Sequence, residues 1–250
     1  MNSAPPRPID QIAALEAAFV RSRLAARAEP APDLAVRRRR LRGLEALLHD
    51  HMDEFAAAIA ADFGHRSPHE TRLLEMFPSL EAIRHAHRHV GRWMRPAGRP
   101  VSLWFQPARA EVRPQPLGCV GIVAPWNYPV FLTAGPLAAA FAAGNRALVK
   151  LSEFTPATAA LMARLAPAYF AADELAVVEG DAEVARAFAR LPFDHLLFTG
   201  STAVGRQVMG AAAENLTPLT LELGGKSPAI VAPGYPLAKA AERILVGKCL

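Results

Sequence analysis

Two neighbouring segments of this sequence combine residue types that could hold a phosphate group and move a proton. Residues 198–205 read FTGSTAVG, which is typical of a strand that ends in a glycine turn and opens a helix. Backbone N–H groups at such a helix start bind phosphate. Residues 221–228 read LELGGKSP and place one carboxylate, Glu222, in an otherwise apolar strand. Because a buried carboxylate is unfavourable unless it is paired or functional, the pattern predicts an acid–base site beside a cofactor site, or a structural ion pair at Glu222.

Neither glycine segment matches a general nucleotide-binding motif. The turn from Gly200 to Gly205 lacks the spacing of the dinucleotide fingerprint, and Arg206 stands where a P-loop has its lysine. The second segment resembles the end of a P-loop, but Thr220 occupies a position that requires glycine. The sequence therefore does not favour an ATPase.

A proline-bounded loop presents an amide side chain directly after an apolar run. Residues 125–129 read PWNYP, and two prolines fix the backbone of a loop at the sheet edge where ligands bind in α/β folds. Asn127 would then be a rigidly held donor, suited to an oxyanion that forms on a carbonyl carbon. The alternative is a turn in which the Asn127 side chain satisfies its own backbone.

A lysine ends the next apolar run. Residues 149–153 read VKLSE, so Lys150 is followed by Ser152 and Glu153. These side chains could hydrogen-bond the hydroxyl groups of an adenosine ribose. The alternative is an ordinary surface loop whose serine caps the following helix.

The remaining reactive side chains favour packing or surface roles. Cys119 and Cys249 sit in apolar runs without metal-ligand spacing, which favours a reducing, cytoplasmic compartment without disulfides. His85 and His89 share a helix face, but no third ligand can be placed, so no metal site is predicted. No apolar stretch long enough to span a membrane is present in the sequence.

Composition predicts a folded protein with a large core. The 250 residues are 52% hydrophobic and 20% charged. The net charge of +5 would suit an anionic ligand, or nucleic acid. However, residues 37–40 are four arginines inside a periodic helix without aromatic interleaving, which predicts a solvated helix face and no nucleic-acid partner.

The first hundred residues show helical periodicity. Asp33 is the predicted N-cap of a helix that ends at Gly64, and a second helical pattern covers residues 73–93 with a kink or break at Pro78. Residues 96–107 are the predicted connector to the second half.

From residue 109 onward, short apolar runs alternate with alanine-rich segments of helix length. This alternation predicts an α/β fold with an open, doubly wound, mostly parallel sheet. The predicted strands are residues 120–124, 147–150, 175–178, 195–199 and 219–223, and the predicted helices are residues 131–143, 156–170, 182–190, 202–214 and 238–250.

In order and spacing, four of these motifs resemble the aldehyde dehydrogenase superfamily from about residue 35 to the end. Three further segments are similar to its coniferyl aldehyde dehydrogenase branch. The superfamily motifs are residues 125–129, 149–153, 198–205 and 221–228, and the branch segments are residues 62–70, 92–96 and 191–200.

The resemblance implies a role for each matching residue. Asn127 would donate to the developing oxyanion, and Glu222 would be the general base that activates water. Lys150 and Glu153 would hold the adenosine ribose, and Trp126 would line the cofactor pocket. The turn that meets the pyrophosphate would be shaped by Gly200, Ser201 and Gly205, and the remaining cofactor contacts would be Ser152, Gly180, Val204, Leu223 and Gly224.

The resemblance also implies the reaction and the partners. An aldehyde, aromatic and similar to coniferyl aldehyde, would be oxidised to the carboxylic acid through a thioester on a cysteine. NAD would accept the hydride, with NADP as the alternative. The negative charge of Glu153 favours NAD because it would repel a 2′-phosphate. The full-length enzyme would be a homo-oligomer, and this fragment would not.

The resemblance divides the chain into an N-terminal helical segment (residues 1–108), a dinucleotide-binding domain (109–230) and the first helix of the catalytic domain (231–250). The family's nucleophilic cysteine would fall about six residues beyond Leu250, and Cys249 is not a substitute. Leu151 departs from the proline usual after the lysine. We therefore expect a truncated dehydrogenase, with a non-catalytic nucleotide-binding decoy subunit or an unstable remnant as the alternatives.

Overall fold

The computed structural model describes residues 8–249. Its elements alternate in the second half as the sequence predicts. They are α1 (Pro8–Ala28), α2 (Leu34–Asp50), α3 (Met52–Phe63), α4 (Pro68–Thr71), a π-helical turn (Arg72–Met76), α5 (Phe77–Trp93), β1 (Ala97–Arg99), a 3-10 turn (Leu103–Phe105), β2 (Ala110–Val112), β3 (Cys119–Val123), α6 (Phe131–Ala143), β4 (Arg146–Lys150), α7 (Pro156–Tyr169), β5 (Leu175–Val178), α8 (Ala182–Ala189), β6 (His195–Gly200), α9 (Thr202–Ala213), β7 (Leu219–Leu223) and α10 (Leu237–Cys249). None of the helices described is long and apolar enough to cross a membrane.

The helix signals of the N-terminal half are confirmed, with one difference. Asp33 caps α2 by accepting a hydrogen bond from the Val36 N–H group at 2.8 Å. Gly64 ends α3 in the left-handed conformation. The predicted single helix is two helices, because the backbone leaves helical geometry at His51. Pro78 stands in the first turn of α5, directly after the π-helical turn, and helical backbone continues on both sides of it.

The five longer strands form one parallel sheet in the order β5-β4-β3-β6-β7. The chain winds from β3 outward to β5, then returns to β6 beside β3 and winds the other way. The predicted doubly wound α/β fold is therefore confirmed. The strand order reverses between β3 and β6, and ligands bind at such a switch point in open α/β sheets.

Helices cover both faces of this sheet. Alternate residues of each strand point to opposite faces, so Val149 packs with the helices α2, α3, α5, α6 and α7, while Leu148 packs with α1, α8 and α9. Strands that are buried on both faces are nearly continuous apolar runs, and such runs are easy to recognise in a sequence.

A small antiparallel hairpin was not predicted. β1 pairs with β2, and part of the hairpin lies in the predicted connector. Its six strand residues are all exposed, so they show no apolar alternation that sequence analysis could detect.

The prediction of a solvated arginine face on α2 is wrong for Arg37 and Arg40, whereas Arg39 is exposed. Arg37 and Arg40 are 5% and 1% exposed. Arg37 donates from Nη1 to the Ala142 carbonyl at 3.0 Å, and Arg40 donates from Nη1 to the Asn145 carbonyl at 3.4 Å. Carbonyl groups at a helix C-terminus attract cations, so Arg37 stabilises the end of α6, and Arg40 binds the backbone just beyond it.

A buried carboxylate completes this cluster. Glu174 is 4% exposed and accepts hydrogen bonds from Arg39 and from Arg40 Nε, the latter at 2.9 Å. Burial alone would raise the pKa of Glu174, but the hydrogen bonds and charges of the two arginines outweigh it and hold the pKa at about 2. Arg146 extends the cluster through ion pairs with Asp173 and Glu29.

This pKa predicts a specific loss of stability in acid. The folded-state pKa of Glu174 lies below its ordinary value of 4.5, so its ionised form stabilises the fold above about pH 4.5. That contribution, about 3 kcal/mol by linkage, should be lost as the pH falls toward 2. Urea unfolding between pH 7 and pH 2.5 should show this loss in the wild type and not in Glu174→Gln, which lacks the titrating group.

The matched control for that experiment is Glu214→Gln. Glu214 pairs with Arg190 at 3.9 Å on the surface, where an ion pair contributes little. An acid-dependent loss in Glu174→Gln as large as in the wild type would contradict the prediction.

Candidate functional site

One large cavity opens at the carboxyl ends of the parallel strands. Its volume is about 1320 Å³, and the loops after β3, β4, β6 and β7 line it. All the predicted site residues line this cavity except Gly180 and Gly205. The structure thus brings four separate sequence motifs to one place.

Strand register explains this convergence. Lys150 pairs with Val123, Val123 with Phe198, and Phe198 with Leu221. These residues form one row across the sheet. The motifs begin at or just beyond this row, so their side chains meet at the same edge.

Lys150 is the most buried polar group of the cavity wall, with 1% exposure. Its Nζ donates to the Leu151 carbonyl at 2.6 Å and lies 4.0 Å from the Glu153 carboxylate. Burial lowers the pKa of Lys150, and the negative charges of Glu153 and Asp181 oppose the shift. An ammonium group has three N–H donors, and the Leu151 carbonyl takes one of them, so two are left for ligand hydroxyls.

The loop after Lys150 is a compact turn. The Ser152 carbonyl accepts from the Thr155 N–H at 3.2 Å, and the Ser152 hydroxyl accepts from the Phe154 N–H at 3.2 Å. Leu151 is buried and the turn closes without the expected proline. Since Lys150 is buried as well, the alternative of an ordinary surface loop does not describe this segment.

The helix after that loop is capped by a residue that sequence analysis had not singled out. Asp62, at the end of α3, accepts from the N–H groups of Ala157 and Thr158 at 2.8 and 2.9 Å. It also accepts from the Thr158 hydroxyl at 2.7 Å. Asp62 therefore anchors the start of α7, and with it the far end of the Lys150 loop.

The glycine turn opens α9 as predicted. Ser201 is extended, and its hydroxyl accepts from the Val204 N–H at 3.3 Å. Gly205 is buried, and a Cβ there would lie 2.8 Å from a methyl group of Leu223. A Cβ on Gly200 would lie 2.6 Å from the Phe198 ring. Gly205 therefore lets α9 pack closely on β7, next to the cavity, and Gly200 leaves room for the Phe198 ring of its own strand.

Gly180 also acts through the backbone. It has a φ of +137°, and a Cβ there would lie 2.6 Å from Val184. The residue turns the chain from β5 into α8, whose N-cap is the Asp181 carboxylate. Gly180 therefore shapes an adjacent turn and does not line the cavity.

Asn127 lies in the cavity wall with its side chain exposed. Its backbone carbonyl accepts from Arg66 Nη1 at 2.7 Å. Among the residues described, the Asn127 amide makes no hydrogen bond to its own backbone, so the alternative of a self-satisfied turn is not what the structure contains. The neighbouring Trp126 ring is half exposed and lies 6.1 Å from the Phe63 ring.

Glu222 differs from its prediction. It lines the cavity beside Thr199, but its side chain is exposed, and it forms no salt bridge within the described part of the chain. The reason is its place at the carboxyl end of β7, which is the edge strand of the sheet. The carboxylate therefore faces open space, and neither a buried acid nor a structural ion pair is present here.

Two further residues near the site were missed from the sequence. Glu75 is fully buried and accepts from the N–H groups of Val130 and Phe131, which follow the Asn127 loop. Arg66 contacts both Glu75 and that loop. The available signal was position, because Glu75 falls on the buried side of a helical pattern that continues through Ser79 and Ile83.

Neither cysteine lines the cavity. Cys119 is buried in β3, where burial, with a smaller effect of Asp194, raises the pKa of its thiol to about 12. Cys249 is exposed on α10. Within residues 8–249 no group of three metal-binding side chains occurs, and His85 and His89 stack on each other.

Comparison with known proteins agrees with this geometry. The profile of the aldehyde dehydrogenase family matches residues 9–250, starting earlier than the resemblance predicted. A probable coniferyl aldehyde dehydrogenase of Pseudomonas aeruginosa is 54% identical over 96% of this chain and 50% of its own length.

Solved structures show the same fold. The substrate-bound AldH of Staphylococcus aureus superposes with a TM-score of 0.89 at 35% identity, covering 94% of this chain and 51% of that one. PnpE in complex with nicotinamide adenine dinucleotide superposes with a TM-score of 0.80 at 28% identity, covering 92% of this chain and 47% of that one. The chain spans about half the length of the curated relatives it matches. It belongs to the aldehyde dehydrogenase family.

Proposed function

We propose that this chain forms the dinucleotide-binding part of an enzyme that oxidises an aldehyde to a carboxylic acid with NAD as hydride acceptor. The observation that carries the proposal is the single cavity into which four elements open. These are the Lys150 loop, the start of α9, the Asn127 amide and the Glu222 carboxylate. A donor set for a dinucleotide and two groups for carbonyl chemistry thus share one space.

The cavity suits a dinucleotide in size and in donors. Its volume of about 1320 Å³ exceeds the roughly 300–1,000 Å³ of ordinary small-molecule pockets. Lys150 and Glu153 would hold the ribose hydroxyls. The N–H groups of Thr202 and Ala203 in the first turn of α9 have no intrahelical acceptors and would face the pyrophosphate beside Ser201. The NAD-bound structure of the related PnpE supports this assignment.

Bound NAD would supply the hydride acceptor, and the residues of this chain would handle charge and protons. The Asn127 amide would donate to the aldehyde oxygen as the carbonyl carbon becomes tetrahedral. Losing one such donor costs about 10²–10³ in rate. Glu222 would accept a proton from the water that releases the acid from a cysteine thioester in the full-length enzyme.

The proposed substrate is an aromatic aldehyde similar to coniferyl aldehyde. The support is the name of the Pseudomonas aeruginosa relative at 54% identity. Trp126 adds an aromatic surface to the cavity wall.

A second candidate is nucleotide binding without turnover. It is favoured by the thiols, because the two cysteines of the sequence, Cys119 and Cys249, both lie away from the cavity lining. In the second candidate function, NAD binds in the same cavity, and no aldehyde is oxidised.

Calorimetry with NAD tests the part that both candidates share. The wild-type chain should bind NAD, and Lys150→Met should weaken binding by about ten-fold or more, since it removes a buried charge-assisted donor while keeping the side-chain volume. Lys239→Met on α10 is the control, because Lys239 is exposed and does not line the cavity. The proposal would be contradicted if the folded wild-type protein did not bind NAD, or if both variants weakened NAD binding equally.

The choice between NAD and NADP should depend on Glu153. Glu153→Gln removes the negative charge that would oppose a 2′-phosphate, so NADP affinity relative to NAD should rise about three- to ten-fold. Titrations of both coenzymes measure this ratio. Glu183→Gln on α8, outside the cavity lining, should leave the ratio unchanged. An unchanged ratio in Glu153→Gln would remove Glu153 from the ribose site.

Turnover tests whether the chain by itself carries a nucleophile for the aldehyde. Purified 250-residue chain mixed with NAD and coniferyl aldehyde should produce no NADH absorbance, because no described thiol opens into the cavity. NAD binding without NADH formation is the expected result. Aldehyde-dependent NADH formation would instead show that a nucleophile reaches the cavity.

A further inference from the structure

We propose that Glu75 and Arg66 are positioning residues that fix the loop carrying Asn127, here called the amide loop (residues 124–130). The inference rests on the proposed function for the role of Asn127, but the contacts that define it do not. Neither residue lines the cavity, so neither would touch the reacting atoms. Their effect would be exerted through the loop.

Glu75 caps the helix that follows the amide loop. Its Oε2 accepts from the Val130 N–H at 2.8 Å and from the Phe131 N–H at 3.2 Å. The N-cap residue of α6 is Val130, which has no side-chain acceptor to satisfy these groups. A carboxylate from α5's preceding turn therefore replaces the missing cap, at the end of α6 where negative charge is favourable.

Arg66 connects the Glu75 carboxylate to the middle of the amide loop, at Asn127. Its Nη1 donates to the Asn127 carbonyl at 2.7 Å and to Glu75 Oε1 at 3.2 Å. The guanidinium lies 3.9 Å from the Phe63 ring centroid and 4.9 Å from that of Tyr128. Its Nε is 3.3 Å from Glu70 Oε1. The two aromatic rings and the two carboxylates around the guanidinium leave this arginine little freedom.

The pair therefore holds the loop backbone on both sides of the segment from Tyr128 to Pro129. Glu75 holds Val130, and Arg66 holds the Asn127 carbonyl. The Pro129 carbonyl is bound as well, by the Thr133 hydroxyl at 2.7 Å. The backbone of Asn127 is thus fixed while its exposed side chain lines the cavity.

Full burial makes these contacts sensitive to change. Glu75 is 0% exposed. Burial raises the pKa of Glu75, and the N–H groups of Phe131 and Val130, together with Arg66, oppose the rise only in part. A buried carboxylate that loses one partner keeps its desolvation penalty, so removing Arg66 should disturb the whole arrangement.

The experiment is solution NMR on the full 250-residue chain, with Glu75→Gln and Arg66→Lys as variants. In Glu75→Gln, amide exchange at Val130 and Phe131 should accelerate about ten-fold. The Asn127 side-chain amide and Trp126 indole signals should shift or broaden, while the indoles of Trp93 and Trp104 should stay in place.

Arg66→Lys tests the contact of Arg66 with the Asn127 carbonyl separately from its ion pair with Glu75. Lysine keeps a positive charge beside Glu75. It lacks the branched guanidinium group, which can donate to Glu75 and to the Asn127 carbonyl at the same time. Protection of Val130 and Phe131 should therefore persist while the Asn127 side-chain signals move. This variant also decides the proposal if Glu75→Gln does not fold.

Glu45→Gln is the matched control. Glu45 accepts from Arg84 Nε at 2.7 Å on neighbouring helices and does not contact the amide loop. Signals of residues 126–131 that stay unchanged in both test variants, or that change equally in Glu45→Gln, would overturn the proposal. An NAD titration of the same wild-type sample keeps the two ideas apart, because absent NAD binding counts against the proposed function and leaves the loop result standing.

Discussion

The helix α6 is held at both ends by buried charges of the sign that its dipole favours. At its start, Glu75 accepts from the first N–H groups, and at its end Arg37 donates to the Ala142 carbonyl. Each contact of this kind stabilises a helix by about 0.3–1 kcal/mol, and by up to about 2 kcal/mol when partly buried. Because α6 begins at the end of the amide loop, these charges fix the helix next to the proposed carbonyl site. Both come from the N-terminal helical half.

The parallel sheet supplies the second constraint. One row of paired residues runs from Lys150 through Val123 to Phe198, and every motif begins near that row. A slip of one residue in any strand would turn its side chains to the opposite face and break this alignment. Close packing of Gly205 against Leu223 holds α9 at the same edge. The cavity is thus a product of strand register and of small residues in the turns.

The sequence predicted the parallel sheet well, because strands buried on both faces are unmistakable apolar runs. It could not predict contacts that depend on distant partners. Arg37 and Arg40 were expected in solvent, since their helix alone does not reveal the carbonyls at and just after the end of α6 that they bind. Glu222 was expected to be buried, since an apolar strand alone does not reveal that it forms the edge of the sheet. No role was predicted for Glu75, although its position on the buried side of a helical pattern can be read from the sequence.

The two cysteines differ in a way that can be used. Cys119 sits inside β3 with a thiol pKa of about 12, so almost none of it is thiolate at neutral pH, and it is shielded from reagents. Cys249 is exposed at the end of α10. A maleimide dye should therefore attach at a single point without mutagenesis. Energy transfer from the tryptophans to that label would follow how α10 lies against the sheet.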